Sequence, residues 1–165
     1  MKQFLENLEK YAKDKHMENK KYFEKLKKKT PKNLDYIMQD LHETEFNKTN
    51  CLSCANCCKT TGPLFNNLDI ERISKYLRQK PQQFINQYLQ IDEDNDYVLQ
   101  KLPCSFLDQE NKCIIYDVRP KACREFPHTD RKKFQQITEI TLKNIPICPA
   151  AFRIVEEMKK KLPLK

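Results

Sequence analysis

Four of the chain's eight cysteines fall within eight consecutive residues, Cys51-Leu52-Ser53-Cys54-Ala55-Asn56-Cys57-Cys58, and the others follow at Cys104, Cys113, Cys123 and Cys148. Thiolates spaced two residues apart on a short loop are what a soft or borderline cation such as zinc or iron needs to be gripped from one stretch of chain. Cys57 and Cys58 are adjacent, and neighbouring side chains diverge, so the two do not serve one mononuclear ion in a relaxed geometry. The loop therefore feeds two sites, or one site plus a spare thiol.

Two partitions of the thiols are open. Cys51, Cys54 and Cys57 form the C-x2-C-x2-C arc that holds three corners of a [4Fe-4S] cubane in bacterial ferredoxins, where a remote cysteine followed by proline supplies the fourth ligand. Cys148-Pro149 fits that description, which leaves Cys58, Cys104, Cys113 and Cys123 as a set of four for tetrahedral zinc or iron. Alternatively, Cys51 and Cys54 pair with two downstream cysteines as in a zinc ribbon. The spacing points to metal without choosing between zinc and iron. For each downstream cysteine the competing reading is a small buried hydrophobe, most seriously for Cys113 within Lys112-Cys113-Ile114-Ile115. His128 is an alternative ligand for a Cys3His site, whereas His16 and His42 read as surface residues of the N-terminal helices. Lys59, Arg119, Lys121 and Arg124 lie beside cysteines, where cations offset thiolate charge.

The composition narrows what surrounds this chemistry. With 165 residues, 39% hydrophobic and 33% charged, the chain has a thin core for its length, and bound metal would contribute to its folding. The single glycine, Gly62, excludes phosphate-cradling and dinucleotide-binding loops, which need several at fixed offsets. No apolar leader or membrane-length run is present, so a cytoplasmic location is expected, and there cysteine spacing means metal or redox chemistry rather than disulfides. The formal charge of +8 suggests a polyanion, but eight thiolate charges set against the four of two zinc ions would lower it to about +4.

The elements that must position the cysteines follow from periodicity and punctuation. Residues 1–49 read as an N-terminal helical hairpin, with Phe4, Leu5, Leu8, Tyr11, Ala12, Tyr22, Phe23 and Leu26 along one face, a solvated middle from Lys13 to Lys21, and a second helix started by Thr30-Pro31. Residues 50–165 read as the cysteine domain. Its expected parts are a turn at Thr60-Thr61-Gly62-Pro63, a helix over 68–77 capped by Asn66 or Asn67, and a helix from Pro81. The acidic loop Asp92–Asp96 and the strand Tyr97-Val98-Leu99 follow, then a hairpin of Cys104–Leu107 with Cys113–Tyr116. Last come a short helix capped by Asp117, a strand over Ile137–Leu142 and a closing helix from Pro149. The fold class is α+β, mainly helical, with a short β-hairpin.

The chain resembles the YkgJ-type cysteine-cluster family, a zinc- or iron-chelating domain. Four features carry this likeness: Cys51-x2-Cys54-x2-Cys57-Cys58, Cys104-Ser105-Phe106-Leu107, Cys113-Ile114-Ile115-Tyr116-Asp117-Val118-Arg119-Pro120, and Cys123-Arg124-Glu125-Phe126-Pro127. They span roughly residues 50–155. The resemblance implies metal ions as partners of these cysteines and leaves a protein partner open. Two further readings stand beside it. One is a redox or modifying enzyme using an iron-sulfur cluster or the Cys58 thiolate, although three histidines offer no evident Cys-His pair. The other is a zinc module on nucleic acid using Lys25–Lys32 and Arg131-Lys132-Lys133. The sequence disfavours it, because lysines at a helix end complement the helix dipole and stacking motifs are absent.

Overall fold

The computed structural model describes residues 2–164. In chain order the helices are α1 (Lys2–Glu6), α2 (Leu8–Lys28), α3 (Leu34–Phe46), α4 (Cys51–Cys54), α5 (Asn56–Thr60), α6 (Asn67–Tyr76) and α7 (Pro81–Tyr88). The strands β1 (Leu89–Ile91) and β2 (Tyr97–Leu99) come next, then α8 (Lys121–Glu125), α9 (Thr138–Asn144) and α10 (Pro149–Lys161), with 3-10 turns at Tyr116–Val118 and Phe134–Gln136. The class is the mainly helical α+β expected. Contacts group the chain into two units: the segment through Asn50 together with that from Pro127 onward, and Cys51–Phe126. Among the described residues no helix is long and apolar enough to cross a membrane.

The first unit is helical. Leu8, Ala12, Asn19, Tyr22, Phe23 and Leu26 recur at helical spacing on α2 and are buried, while the stretch Lys13–Lys21 is otherwise largely exposed. Ala12, Tyr22, Phe23 and Leu26 share a core with Leu34, Met38 and Leu41 of α3, Phe134, Ile137 and Ile145, and Ile154, Val155 and Met158 of α10. Burial pushes the Tyr22 phenol up to about 12, and its hydroxyl donates to the Leu162 carbonyl at 2.7 Å. Pro149 opens α10 as expected, and the Cys148 sulfur accepts the Ala151 N–H at 3.5 Å in the capping position.

Three expectations in this unit are corrected. Helix α3 starts at Leu34 rather than at Thr30-Pro31, because the Thr30 hydroxyl donates back to the Leu26 carbonyl at 2.9 Å and closes off α2 instead of capping the next helix. The expected strand over Ile137–Leu142 is helix α9. Burial there falls at Thr138, Thr141 and Ile145, a helical spacing, and the Thr141 hydroxyl donates to the Ile137 carbonyl at 3.1 Å. His42 is half-buried rather than superficial, with Nδ1 at 2.7 Å from the Thr129 hydroxyl and Nε2 at 3.8 Å from Asp130.

The second unit has its own core of Phe65, Ile70, Ile73, Phe84, Leu89, Leu99, Phe106 and Ile115, in which the Phe84 and Phe106 rings stack with centroids 6.0 Å apart. Asn66 caps α6 through a reciprocal box: its side chain accepts the Asp69 N–H at 2.7 Å while Asp69 accepts the Asn66 N–H at 3.1 Å. Strand β1 leaves α7 without an intervening turn and pairs antiparallel with β2 in the register Leu89↔Leu99, Gln90↔Val98, Ile91↔Tyr97. The acidic residues between them form a loop in which Asp92 accepts the Asp94 and Asp96 N–H groups, both at 2.9 Å. Gly62 has no positive φ, and a methyl group there would meet Leu102 and Leu99 at 3.8 and 3.9 Å, ordinary contacts.

The hairpin expected from Cys104–Leu107 and Cys113–Tyr116 is not formed. These segments make only the isolated bridge Leu107↔Cys113, joined by a loop in which Asp108 accepts the Glu110 and Lys112 N–H groups at 2.8 and 2.9 Å. Asp117 lies within a 3-10 turn rather than capping α8. The α8 amide of Lys121 donates at 3.1 Å to Asp69 instead.

Candidate metal centre

The loop carrying four cysteines is built from two single helical turns. Cys51 and Cys54 stand three residues apart on α4, so their side chains share a face, and Cys57 and Cys58 lie on α5. Between the turns Ala55 takes a left-handed conformation, φ 48°, and is buried at 3% exposure. That residue breaks what would otherwise be one continuous helix and turns the second pair of thiols back toward the first. It is held on both sides, its N–H donating to the Cys51 carbonyl at 2.8 Å and its carbonyl accepting from Lys59 at 3.2 Å. An alanine in this region costs about 1 kcal/mol or more relative to an ordinary helical backbone.

The downstream cysteines are brought to the same neighbourhood. The Cys104 N–H donates to the Cys58 carbonyl at 2.8 Å, which ties the Cys104 segment to the end of the loop. Backbone N–H groups of Phe106 and Leu107 point at the Cys104 sulfur, and that of Ile115 points at the Cys113 sulfur. Such N–H donors stabilise a thiolate and, in a metal centre, tune its electronics. They also explain the missing hairpin, since amides turned toward sulfur are not free to form a ladder.

Cys123 is positioned from a distance by two residues that the sequence did not single out. Asp69, 2% exposed, accepts from the Arg72 guanidinium at 2.7 Å and from the Lys121 amide. Arg72 in turn donates to the carbonyls of Val118 at 3.2 Å and Arg119 at 2.9 Å. The pair thereby clamps the segment Tyr116–Lys121, from which Cys123 projects one turn later. The i, i+3 spacing of an acid and an arginine at the start of a capped helix was the available signal, but it more often marks a surface pair. Arg119 folds over the Tyr116 ring, 4.0 Å from its centroid, and donates to the Tyr116 carbonyl at 2.7 Å.

The electrostatics link the thiols to one another. Cys57 and Cys58 do not diverge as expected from their adjacency: the Cys57 thiol hydrogen-bonds the Cys58 sulfur, and this first, then, against the effect of burial, its own backbone and Lys59, hold Cys58 down at about 7. Burial pushes Cys104 up to about 11, and the charges of Cys58 and Cys113 add to that, against the pull of the Phe106 and Leu107 N–H groups. Cys123 is an exposed residue, yet enough protein surrounds its sulfur for burial to raise it to about 12, with Cys58, Cys104 and Cys113 adding to the rise. Burial likewise raises Cys113 and Cys51, each also facing Cys58, and Cys51 faces Cys54 as well. Arg119 opposes the rise at Cys51, Cys113 and Cys123. Of the four cations that flank cysteines in the sequence, Lys59 and Arg119 thus act on sulfur, while Lys121 makes a surface pair with Glu125 at 3.8 Å.

Seven of the eight cysteines, Cys51, Cys54, Cys57, Cys58, Cys104, Cys113 and Cys123, belong to the second unit, and Cys148 and His128 belong to the first. Among the described residues no three His, Cys, Asp or Glu side chains stand close enough to clasp one ion as they are placed. The donor chemistry nevertheless fits a soft or borderline cation. These thiols raise one another's pKa by like-charge repulsion, sulfur-directed N–H groups are in place, and a bound cation would relieve that repulsion.

A helical α+β unit with a double-turn cysteine loop and three downstream thiols defines a thiolate-rich metal-chelating class. The chain belongs to the CxxCxxCC family, described as "Putative zinc- or iron-chelating domain", whose match covers residues 50–142. That span takes in all seven cysteines of the second unit and ends before Cys148. An uncharacterized protein of Methanocaldococcus jannaschii is 30% identical over an alignment of 93 residues that covers 53% of this chain and 49% of that relative, so the chain spans about half the length of this curated relative. No solved structure matches the chain at a significant level.

Proposed function

We propose that the chain is a metal-handling module in which Cys58, Cys104, Cys113 and Cys123 hold one zinc or iron ion while Cys51, Cys54 and Cys57 form the gripping arc of a second centre, an iron-sulfur cluster or zinc. The observation that supports the first quartet is the position of Cys58, whose charge acts on each of the other three thiols; because it also faces Cys51 and takes a hydrogen bond from Cys57, Cys58 is the residue at which the two sets meet. The bound metal supplies a soft Lewis-acidic or redox centre, and the protein's residues deliver thiolates, N–H donors to sulfur and the Arg119 and Lys59 charges.

Metal analysis of protein purified without oxygen, read together with its absorption spectrum, tests this. A content of one or more metal ions per chain is expected, and less than about one, the minimum for a four-ligand site, would overturn the proposal.

A further inference from the structure

The charge of the chain is not shared between its units. The helical unit contains 21 lysines and arginines against 13 aspartates and glutamates, whereas Cys51–Phe126 contains 10 of each, so the whole excess of +8 lies in the helical unit. Such asymmetry marks a polyanion-binding part of a chain. Within that unit two basic runs about a hundred residues apart in sequence meet at one end. Asp35, in the first turn of α3, accepts the backbone N–H of Lys133 at 2.8 Å and of Phe134 at 3.2 Å. Phe134 packs against Phe23 of α2, with ring centroids 6.1 Å apart, and Lys27 lies 3.9 Å from Glu139 of α9. Arg131, Lys132 and Lys133 are therefore seated beside the loop that joins α2 to α3.

Lys25, Lys27, Lys28, Lys29 and Lys32 on that side, and Arg131, Lys132 and Lys133 on the other, are all exposed. Of the acidic residues near them, Asp35 accepts the two backbone amides, Glu139 lies 3.9 Å from Lys27, and Asp130 stands 3.8 Å from His42. Tyr36, the residue after Asp35, is 77% exposed, the most exposed large hydrophobic side chain of the helical unit. A membrane-binding face would present several aliphatic or aromatic side chains for insertion, whereas among the described residues the large exposed apolar side chains next in sequence to the groups named above are Tyr36 and Ile140. Cations that track a phosphate backbone next to a single stacking platform are what an unpaired nucleic-acid strand needs.

We infer that the end of the helical unit formed by the α2–α3 loop and Arg131–Lys133 binds single-stranded nucleic acid, with Lys29, Lys32 and Lys132 on phosphates and Tyr36 stacked on a base. The Lys25–Lys32 run reads as a solvated helix end in the sequence; its meeting with Arg131–Lys133 through Asp35 is what the fold adds. This inference stands independently of the metal assignment.

Fluorescence anisotropy of the full, metal-loaded chain with a short labelled single-stranded RNA of mixed sequence tests it, across a range of salt. The charge reversal Lys29→Glu with Lys32→Glu and Lys132→Glu should abolish about 2 units of the log–log salt slope, from three phosphate contacts at about 0.7 each. Tyr36→Ala should weaken binding by about tenfold through lost stacking. Lys75→Glu with Lys80→Glu and Lys101→Glu, which changes the net charge equally in the cysteine unit, should leave binding near the unmodified level. Equal weakening by both triple reversals, binding that does not respond to salt, or tighter binding to phosphatidylserine vesicles than to RNA would each overturn the inference. Circular dichroism of every variant separates these outcomes from unfolding.

Discussion

Removing the Asp69 carboxylate, by Asp69→Asn, should loosen the second unit and its metal centre together. Asp69 is 2% exposed and accepts three hydrogen bonds from outside its own residue: from the Asn66 amide at 3.1 Å, the Arg72 guanidinium at 2.7 Å and the Lys121 amide at 3.1 Å. Each bond to a charged acceptor contributes about 1.5–3 kcal/mol, but the Arg72 side chain is 34% exposed, so its share is reduced by solvent screening. Asparagine keeps one acceptor oxygen and places an N–H2 group against donors, leaving the clamp incompletely satisfied. The expected loss is about 3 kcal/mol, which for a chain of this size lowers Tm by roughly 10 °C. The assay is urea unfolding of the metal-loaded protein combined with metal retention against a chelator. Because Arg72 releases the Val118 and Arg119 carbonyls when its partner is neutralised, the Cys123 segment should let metal go faster as well. Arg72→Ala should give the same phenotype, and the double variant should cost much less than the sum of the two. A loss below about 0.5 kcal/mol for Asp69→Asn, or additive costs in the double variant, would refute the clamp.

Three further outcomes follow from the same geometry. Metal uptake near pH 7 should release protons, because Cys104, Cys113 and Cys123 are all raised and must ionise to bind, so affinity rises with pH; proton release in weakly buffered solution measures this. His42 has its pKa lowered, by burial first and against Asp130 and Glu43, so the folded state takes up fewer protons than the unfolded one. Its contribution to stability is present above the ordinary value near 6.5 and is lost as pH falls below it, which NMR titration and acid unfolding of wild type and His42→Ala check. Phe84→Ala empties the centre of the second core, where Phe65, Tyr88 and Phe106 meet the ring, and should cost about 3–5 kcal/mol in urea unfolding.

Punctuation by proline and asparagine was readable in the sequence where the side chain had one local task. Pro81 and Pro149 open α7 and α10, and Asn66 caps α6, each within a residue of the expected place. The reading failed where a side chain had two possible partners. Thr30 could cap forward or bond backward, and it bonds to Leu26. Ile137–Leu142 is rich in β-branched residues, but tertiary burial at Thr138, Thr141 and Ile145 set its period. Strand β1 was invisible because it follows α7 with no turn residue between them. In the site the family motifs were plain, whereas the Asp69–Arg72 clamp joins positions about fifty residues apart and its local trace, an i, i+3 acid–arginine pair, is one that surface pairs share. The meeting of the two basic runs was hidden for the same reason.

The cysteine unit is spliced into the helical one: the chain leaves the first unit at Asn50, runs through Cys51–Phe126, and re-enters at Pro127. Both junctions carry thiols, Cys51 to Cys58 just inside the entrance and Cys123 just before the exit. An ion shared by Cys58 and Cys123 would knot the neck of this insert, closing a loop of about 65 residues and removing roughly 4 kcal/mol of chain entropy from its unfolded form. Loaded with metal, the insert would have its two ends fixed by its own chemistry, and it could fold or open without asking the helical unit to do the same.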